Sequence, residues 1–162
     1  MQNHEHDPLR PHAHEPNPEP PHDDPTITVV APHGETFLVT PEMLRQWPAT
    51  TAHHCFIVST GHGTSGPFDF TGVTLPDLCS ALGIAAPIWR EAEIVSADGF
   101  GTRITREEAA PNAPIGPVVL AYACNGEPLS RRAGLVRLIV PGERDDALRQ
   151  VKWVATVRFV SL

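Results

Sequence analysis

The chain runs to 162 residues, enough for a single domain, with 19 acids against 12 lysines and arginines and a net charge of −7. Without a basic surplus to neutralise phosphates, general nucleic-acid binding is excluded, although one bound phosphate needs only a few local cations and backbone donors. No apolar run approaches the ~20 residues needed to span a bilayer, so no membrane partner is expected, and three cysteines, an odd number, argue against a disulfide framework and for a reducing, cytoplasmic setting.

Residues 1–25 carry six acids against one base, which is −5 of the net charge, together with seven prolines and five histidines (His4, His6, His12, His14, His22). Such a segment cannot bury enough apolar surface to offset its ordering entropy, so a disordered tail is expected. It has no basic start followed by an apolar run and does not read as a signal peptide. Its imidazoles suit zinc, nickel or copper, yet a His-rich tract is only a compositional signal, and a solvated tail is the simpler expectation.

A folded domain is expected over 26–162. Thr26–Val30 alternates like a strand, and His33-Gly34 turns into a second strand, Thr36–Val39. Thr40-Pro41 has the form of an N-cap followed by a first-turn proline, predicting a short helix through Trp47 that Pro48 stops. Ala52–Thr60 reads as a buried strand carrying Cys55. Gly61–Pro67 is rich in glycine and predicts a loop. Leu75, Leu78, Cys79 and Leu82 recur at helical spacing, with Gly83 placed to end the helix.

Ile88–Ser96 is a further strand, closed by the turn Asp98-Gly99. Thr105 and Glu108 have capping-box spacing and predict a third short helix, ended by Pro111. From Val118 onward the chain reads as extended: Val118–Ala123, a hairpin turn at Asn125-Gly126, Leu135–Val140, a turn at Pro141-Gly142, and Val151–Val160. The sum is an α+β domain dominated by strands. The absence of βαβ alternation excludes a Rossmann-type nucleotide fold.

Four segments in this order carry a resemblance. They are Phe70–Leu78 with its Gly72-Val73 pair, the turn Ser96–Phe100, the run Leu120–Leu129 continuing through Gly134–Gly142, and Val151–Val154 with Lys152-Trp153. Together they resemble the sulfite-oxidase-like molybdopterin-binding family. The resemblance implies a strand-rich mixed sheet, barrel-like, with about three short helices. It also implies a molybdopterin cofactor whose molybdenum takes one cysteine thiolate, a soft ligand for a thiophilic metal. Cys55 is the cysteine the resemblance designates, as catalytic residue and metal ligand. It stands where the family's ligand is expected, on a strand ahead of Gly72-Val73 and beside the glycine-rich loop. Cys79, on a helix's apolar face, and Cys124, before a turn, read as packing.

In the same terms, His62 would face a small-molecule substrate. Thr60, Gly61 and Gly63 would offer backbone donors to the cofactor, although a plain hairpin loop explains those glycines as well. Asp98 would accept from the pterin amino groups, unless it only builds its turn. Arg149 and Lys152 would hold the phosphate. His53, Cys55 and His62 could in principle share a metal, since residues 53 and 55 of a regular strand lie on one face. An electron-transfer partner is implied too, because the chain has no haem or iron–sulfur motif.

The chain departs from the family's pattern at Arg131–Leu135, where a histidine and a proline are usual, and between Gly142 and Arg149, which carries Glu143, Asp145 and Asp146. A cofactor-free binding or interaction module of the same fold, with a degenerate site, is therefore the alternative expectation.

Overall fold

Alternation builds the first sheet. Ile27 and Val29 are buried along β1 (Ile27–Val30), which turns back at Gly34, φ 95°, into β2 (Thr36–Val39). The structure, a computed structural model, describes residues 24–59, 63–84, 88–114, 116–131, 133–141 and 151–161. In chain order after β2 come α1 (Pro41–Gln46), β3 (Thr50–Ser59), β4 (Gly63–Thr74), α2 (Leu75–Leu82), β5 (Trp89–Ser96) and β6 (Gly101–Thr105). Then follow β7 (Val119–Cys124), β8 (Glu127–Pro128), β9 (Arg137–Ile139) and β10 (Val154–Ser161). Sheet 1 has the order β2-β1-β10-β5-β6 and is mixed, because β1 lies parallel to β10 while the other pairs are antiparallel.

Sheet 2 has the order β3-β4-β7-β8, with β9 also paired to β7. Its central strand β7 is a continuous apolar run rather than an alternating one, and both of its faces are covered. Leu120 and Tyr122 join the main core with Ile27, Val29, Trp89 and Phe159, between the two sheets. Val119 and Ala121 point the other way, into a second cluster with Ala52, Cys55, Phe70 and Ile139. Sheet 2 thus has an inner face in the core and an outer face with a small apolar floor. That outer face carries the site.

Both helices pack on the main core, and their ends follow the cap chemistry. Thr40 Oγ1 accepts from the Met43 amide at 3.2 Å ahead of α1, and Thr74 Oγ1 accepts from the Asp77 amide at 3.2 Å ahead of α2. Gly83 closes α2 with φ 76°, a left-handed position suited to glycine.

Several expectations are corrected. Among the described residues there are two α-helices, not three: Thr105 and Glu108 do exchange both capping-box bonds, at 2.9 and 3.1 Å, but only successive turns follow. Pro111 removes a donor and its ring crowds the carbonyl four residues back, so no second helical turn can form. The strands form two open sheets, each with its own edges, and do not close into a barrel. The predicted loop Gly61–Pro67 is largely strand, since Gly63, Thr64 and Ser65 pair with Ser59, Val58 and Ile57. β10 starts at Val154 rather than Val151 because Trp153 has φ 50°, and β9 starts at Arg137 because Leu135 has φ 56°. The expected disordered tail lies outside the described residues except for Asp24 and Pro25.

Candidate functional site

Two irregularities shape the outer face of sheet 2. Ala52 pairs with Phe70 and Cys55 with Phe68, so β3 carries one extra residue between them. This is a β-bulge, and His54 occupies it with φ 61°. Ile57 then pairs with Ser65, so the next extra residue falls on β4, around Gly66. A side chain at Gly66 would put a Cβ 2.7 Å from the Cys55 carbonyl oxygen, so only glycine fits this close approach.

Asp69 and Asn125 pin the first bulge. Asp69 Oδ1 accepts from the His54 amide at 3.0 Å, and its Oδ2 lies 3.4 Å from His53 Nδ1. Asn125 Oδ1 accepts from the Asp69 amide at 2.8 Å, and the Asn125 amide donates to the Asp69 carbonyl at 2.7 Å. The His54 amide above all, and then His53, hold the Asp69 carboxyl below its ordinary value. The hairpin turn at Asn125-Gly126, φ 51° and 84°, therefore anchors the neighbouring strand as well as joining β7 to β8.

Cys55 sits inside this bulge. It is 4% exposed, and its thiol donates to the Ala52 and His53 carbonyls at 3.5 and 3.8 Å. Burial, with smaller effects from Asp69 and Cys124, pushes its pKa up to about 11, so the sulfur is a thiol at neutral pH. His53 and His54 are both exposed at the bulge. The bulge breaks the same-face relation expected between His53 and Cys55. Among the described residues, no group of three or more His, Cys, Asp or Glu side chains is arranged to hold a metal ion.

Beside the bulge lies a cleft of about 430 Å³, whose walls include Ile57, Phe68, Phe70 and Leu129 and which Cys124 and Arg137 also line. Arg137 comes from β9, with its guanidinium 5.8 Å from the Phe70 ring centre and its Nη1 3.5 Å from the Ala133 carbonyl. Behind it stands Lys152, its Nζ 4.8 Å from the Trp153 ring centre.

Gly134 lies between the stems of Arg137 and Lys152. A Cβ there would meet Arg137 Cγ at 2.9 Å and Lys152 Cβ at 3.2 Å. The corner is tightly bonded: the Trp153 indole donates to the Arg131 carbonyl at 2.6 Å, and the Trp153 amide to the Gly134 carbonyl at 3.1 Å. Leu135 and Trp153, neither of them glycine, both hold positive φ here. Such backbone costs of order 1–3 kcal/mol per residue and tends to gather at functional sites.

Of the expected site residues, Cys55, Lys152, Asp98 and the backbone of Gly63 fall within the described residues. Thr60, Gly61, His62 and Arg149 lie outside them, as does the acidic stretch Glu143–Asp146. Gly63 is a strand residue paired with Ser59, and Lys152 stands at the cation corner. Asp98 builds its own turn, accepting from the Phe100 amide at 3.2 Å, while the adjacent Ala97 amide donates to the Trp153 carbonyl. The Asp98 turn therefore adjoins the Lys152-Trp153 segment. Arg137 and Cys124 were missed by the sequence reading. A lone arginine between Val136 and Leu138, both buried, was the available signal for Arg137.

The model of the oxidoreductase molybdopterin binding domain family matches residues 22–161. Mitochondrial sulfite oxidase of Drosophila melanogaster is 33% identical over 107 residues, covering 62% of this chain and 18% of the oxidase. The crystal structure of the sulfane dehydrogenase SoxCD from Paracoccus pantotrophus superposes with a TM-score of 0.65 at 22% identity, covering 83% of this chain and 38% of that one. That likeness is one of fold. The chain spans well under half the length of either protein.

Proposed function

The chain belongs to the oxidoreductase molybdopterin binding domain family, and from that membership we propose that it binds a molybdopterin cofactor in the cleft on the outer face of sheet 2. The observation that carries the proposal is Arg137, which lines this cleft over the Phe70 ring, with the stem of Lys152 close by across Gly134. Charge-assisted bonds from such a pair suit the phosphate of an anionic pterin, and Arg137 on Phe70 is positioned to bind and orient it. Phe68 and Phe70 offer apolar walls that keep water from one side. Arg149, Thr60, Gly61, His62 and Gly63 complete the proposed set on the strength of the resemblance, which gives His62 the substrate side. Asp98, from the adjoining turn, would accept from the pterin.

When bound, the cofactor would supply a molybdenum centre competent for oxygen-atom or electron transfer with a small-molecule substrate, with a cysteine of this face as its protein ligand. The resemblance designates Cys55 for that role. Electrons would leave to a separate transfer partner. The two named relatives act on sulfur compounds, which makes a small sulfur-containing molecule the first substrate class to try.

The engaged, high-pKa thiol of Cys55 favours a second reading, a cofactor-free binding module of the same fold. One experiment separates the two: molybdenum and pterin analysis of the full chain made in a host that synthesises the cofactor. About one molybdenum per chain is expected, falling several-fold in Arg137→Met and Lys152→Met. A well-folded chain free of molybdenum would sink the cofactor proposal and leave the binding module.

A further inference from the structure

The N-terminal segment joins the fold beside the cation corner. Asp24 and Pro25 line a small crevice together with Ala97, Gly134, Leu135 and Trp153. Asp24 Oδ1 accepts from the Thr26 amide at 3.0 Å, a local turn into β1. The same crevice residues build the corner. The Arg131 carbonyl accepts from the Trp153 indole and from the Gly134 amide, and Gly134 lies between the stems of Arg137 and Lys152. Among the described residues the charges here are Arg131, Arg137 and Lys152 against Asp24 and the adjoining Asp98. The surplus is positive.

Residues 1–23 lie outside the described residues and lead directly into Asp24. They carry five acids (Glu5, Asp7, Glu15, Glu19, Asp23) against Arg10, a formal charge of −4. Apart from prolines, their apolar side chains are Met1, Leu9 and Ala13. Charge rather than apolar burial therefore decides where this segment can bind. A proline-rich chain spans about 3.1 Å per residue, which keeps Glu19 within about 15 Å of Asp24. Asp23 and Glu19 thus stay in the neighbourhood of the corner whatever path the rest of the segment takes.

We propose that the acidic segment 1–23 docks on the Arg131, Arg137 and Lys152 corner of its own chain, through Asp23 and Glu19 first. It thereby occupies ground that an anionic ligand of the cleft must take. The docking stands on the entry point and the charges alone. Its competition with a pterin phosphate rests on the cofactor reading, and in that case loading of the cofactor releases the segment.

Lys152 is the only lysine of the chain, which makes the contact directly readable. Full chain made without the cofactor is treated with a water-soluble carbodiimide at low ionic strength and then mapped by peptide mass analysis. The reagent activates a carboxylate and the Lys152 amine attacks its acyl carbon. A C–N bond forms as the C–O bond to the reagent breaks, the urea leaves and the amine proton passes to buffer. An amide from Lys152 to Asp23, Glu19 or Glu15 within one chain is expected. Its yield should fall several-fold in 1 M salt, where the screening length shortens to about 3 Å. No such amide, amides confined to acids of residues 24–162, amides only between chains, or a yield indifferent to salt would overturn the proposal.

In chain loaded with molybdenum the amide should also fall several-fold, and an undiminished yield overturns the competition. A chain that takes up no molybdenum ends the cofactor reading alone, with the salt-sensitive amide still deciding whether the segment docks.

Discussion

Asp69 is exposed, yet its two carboxylate oxygens and both its backbone groups are engaged, by His54, His53 and Asn125. The His54 amide most of all, and then His53, hold its folded pKa below the ordinary 3.8. A carboxyl with a depressed folded pKa stabilises the fold above its unfolded value and loses that contribution as pH falls through the folded one. The stability gap between wild type and Asp69→Ala is therefore expected to be full at neutral pH and to narrow as pH falls from about 3.8 through the lower folded value. Urea melts at neutral and at strongly acidic pH measure it. A gap independent of pH would show that the carboxylate charge plays no part in holding the bulge. The same residue explains why the setting of Cys55 was not legible in the sequence: the bulge that turns its thiol inward is held by side chains 14 and more residues away.

Gly72 shows how an element-level contact constrains one position. It faces the bulged pairing of β4 with β7, where a Cβ would lie 1.9 Å from the Leu120 carbonyl oxygen and 2.6 Å from the Ala121 Cα. Both obstacles are backbone, so neither can swing aside. Gly72→Ala is expected to cost about 3 kcal/mol or more, or to prevent folding, as forced overpacking does. Thermal denaturation of the variant checks this, and a cost below about 1 kcal/mol would mean that β4 and β7 separate easily. This contact gives a physical reason for the glycine in Phe70–Val73. The caps of α1 and α2 were legible for a related reason, since donor and acceptor lie three residues apart in the chain. The 105–108 capping box was equally legible and formed, but the prolines beyond it decided that one turn was enough.

At the scale of the molecule, the decisive feature is that the centre of sheet 2, at β7 and β9, is buried on both faces. Leu138 points into the main core and Ile139 into the second cluster, both at 0% exposure. Leu138→Ala and Ile139→Ala should each cost roughly 2–5 kcal/mol. Denaturant unfolding of the two variants compares the faces directly. A small loss for Ile139→Ala alone would mean that the outer floor is loosely packed and that the cleft is a surface depression.

The sequence by itself determined most of the strands, both helices, the hairpin turn at Asn125-Gly126, the caps and the family, because each rests on residues close together in the chain or on short segments in a characteristic order. Tertiary structure alone decided that the stems of Arg137 and Lys152 flank Gly134, that Cys124 lines the cleft and that Cys55 turns into its bulge. Those outcomes depend on which strands pair and in what register, and one extra residue in β3 was enough to change the setting of the cysteine the resemblance had singled out.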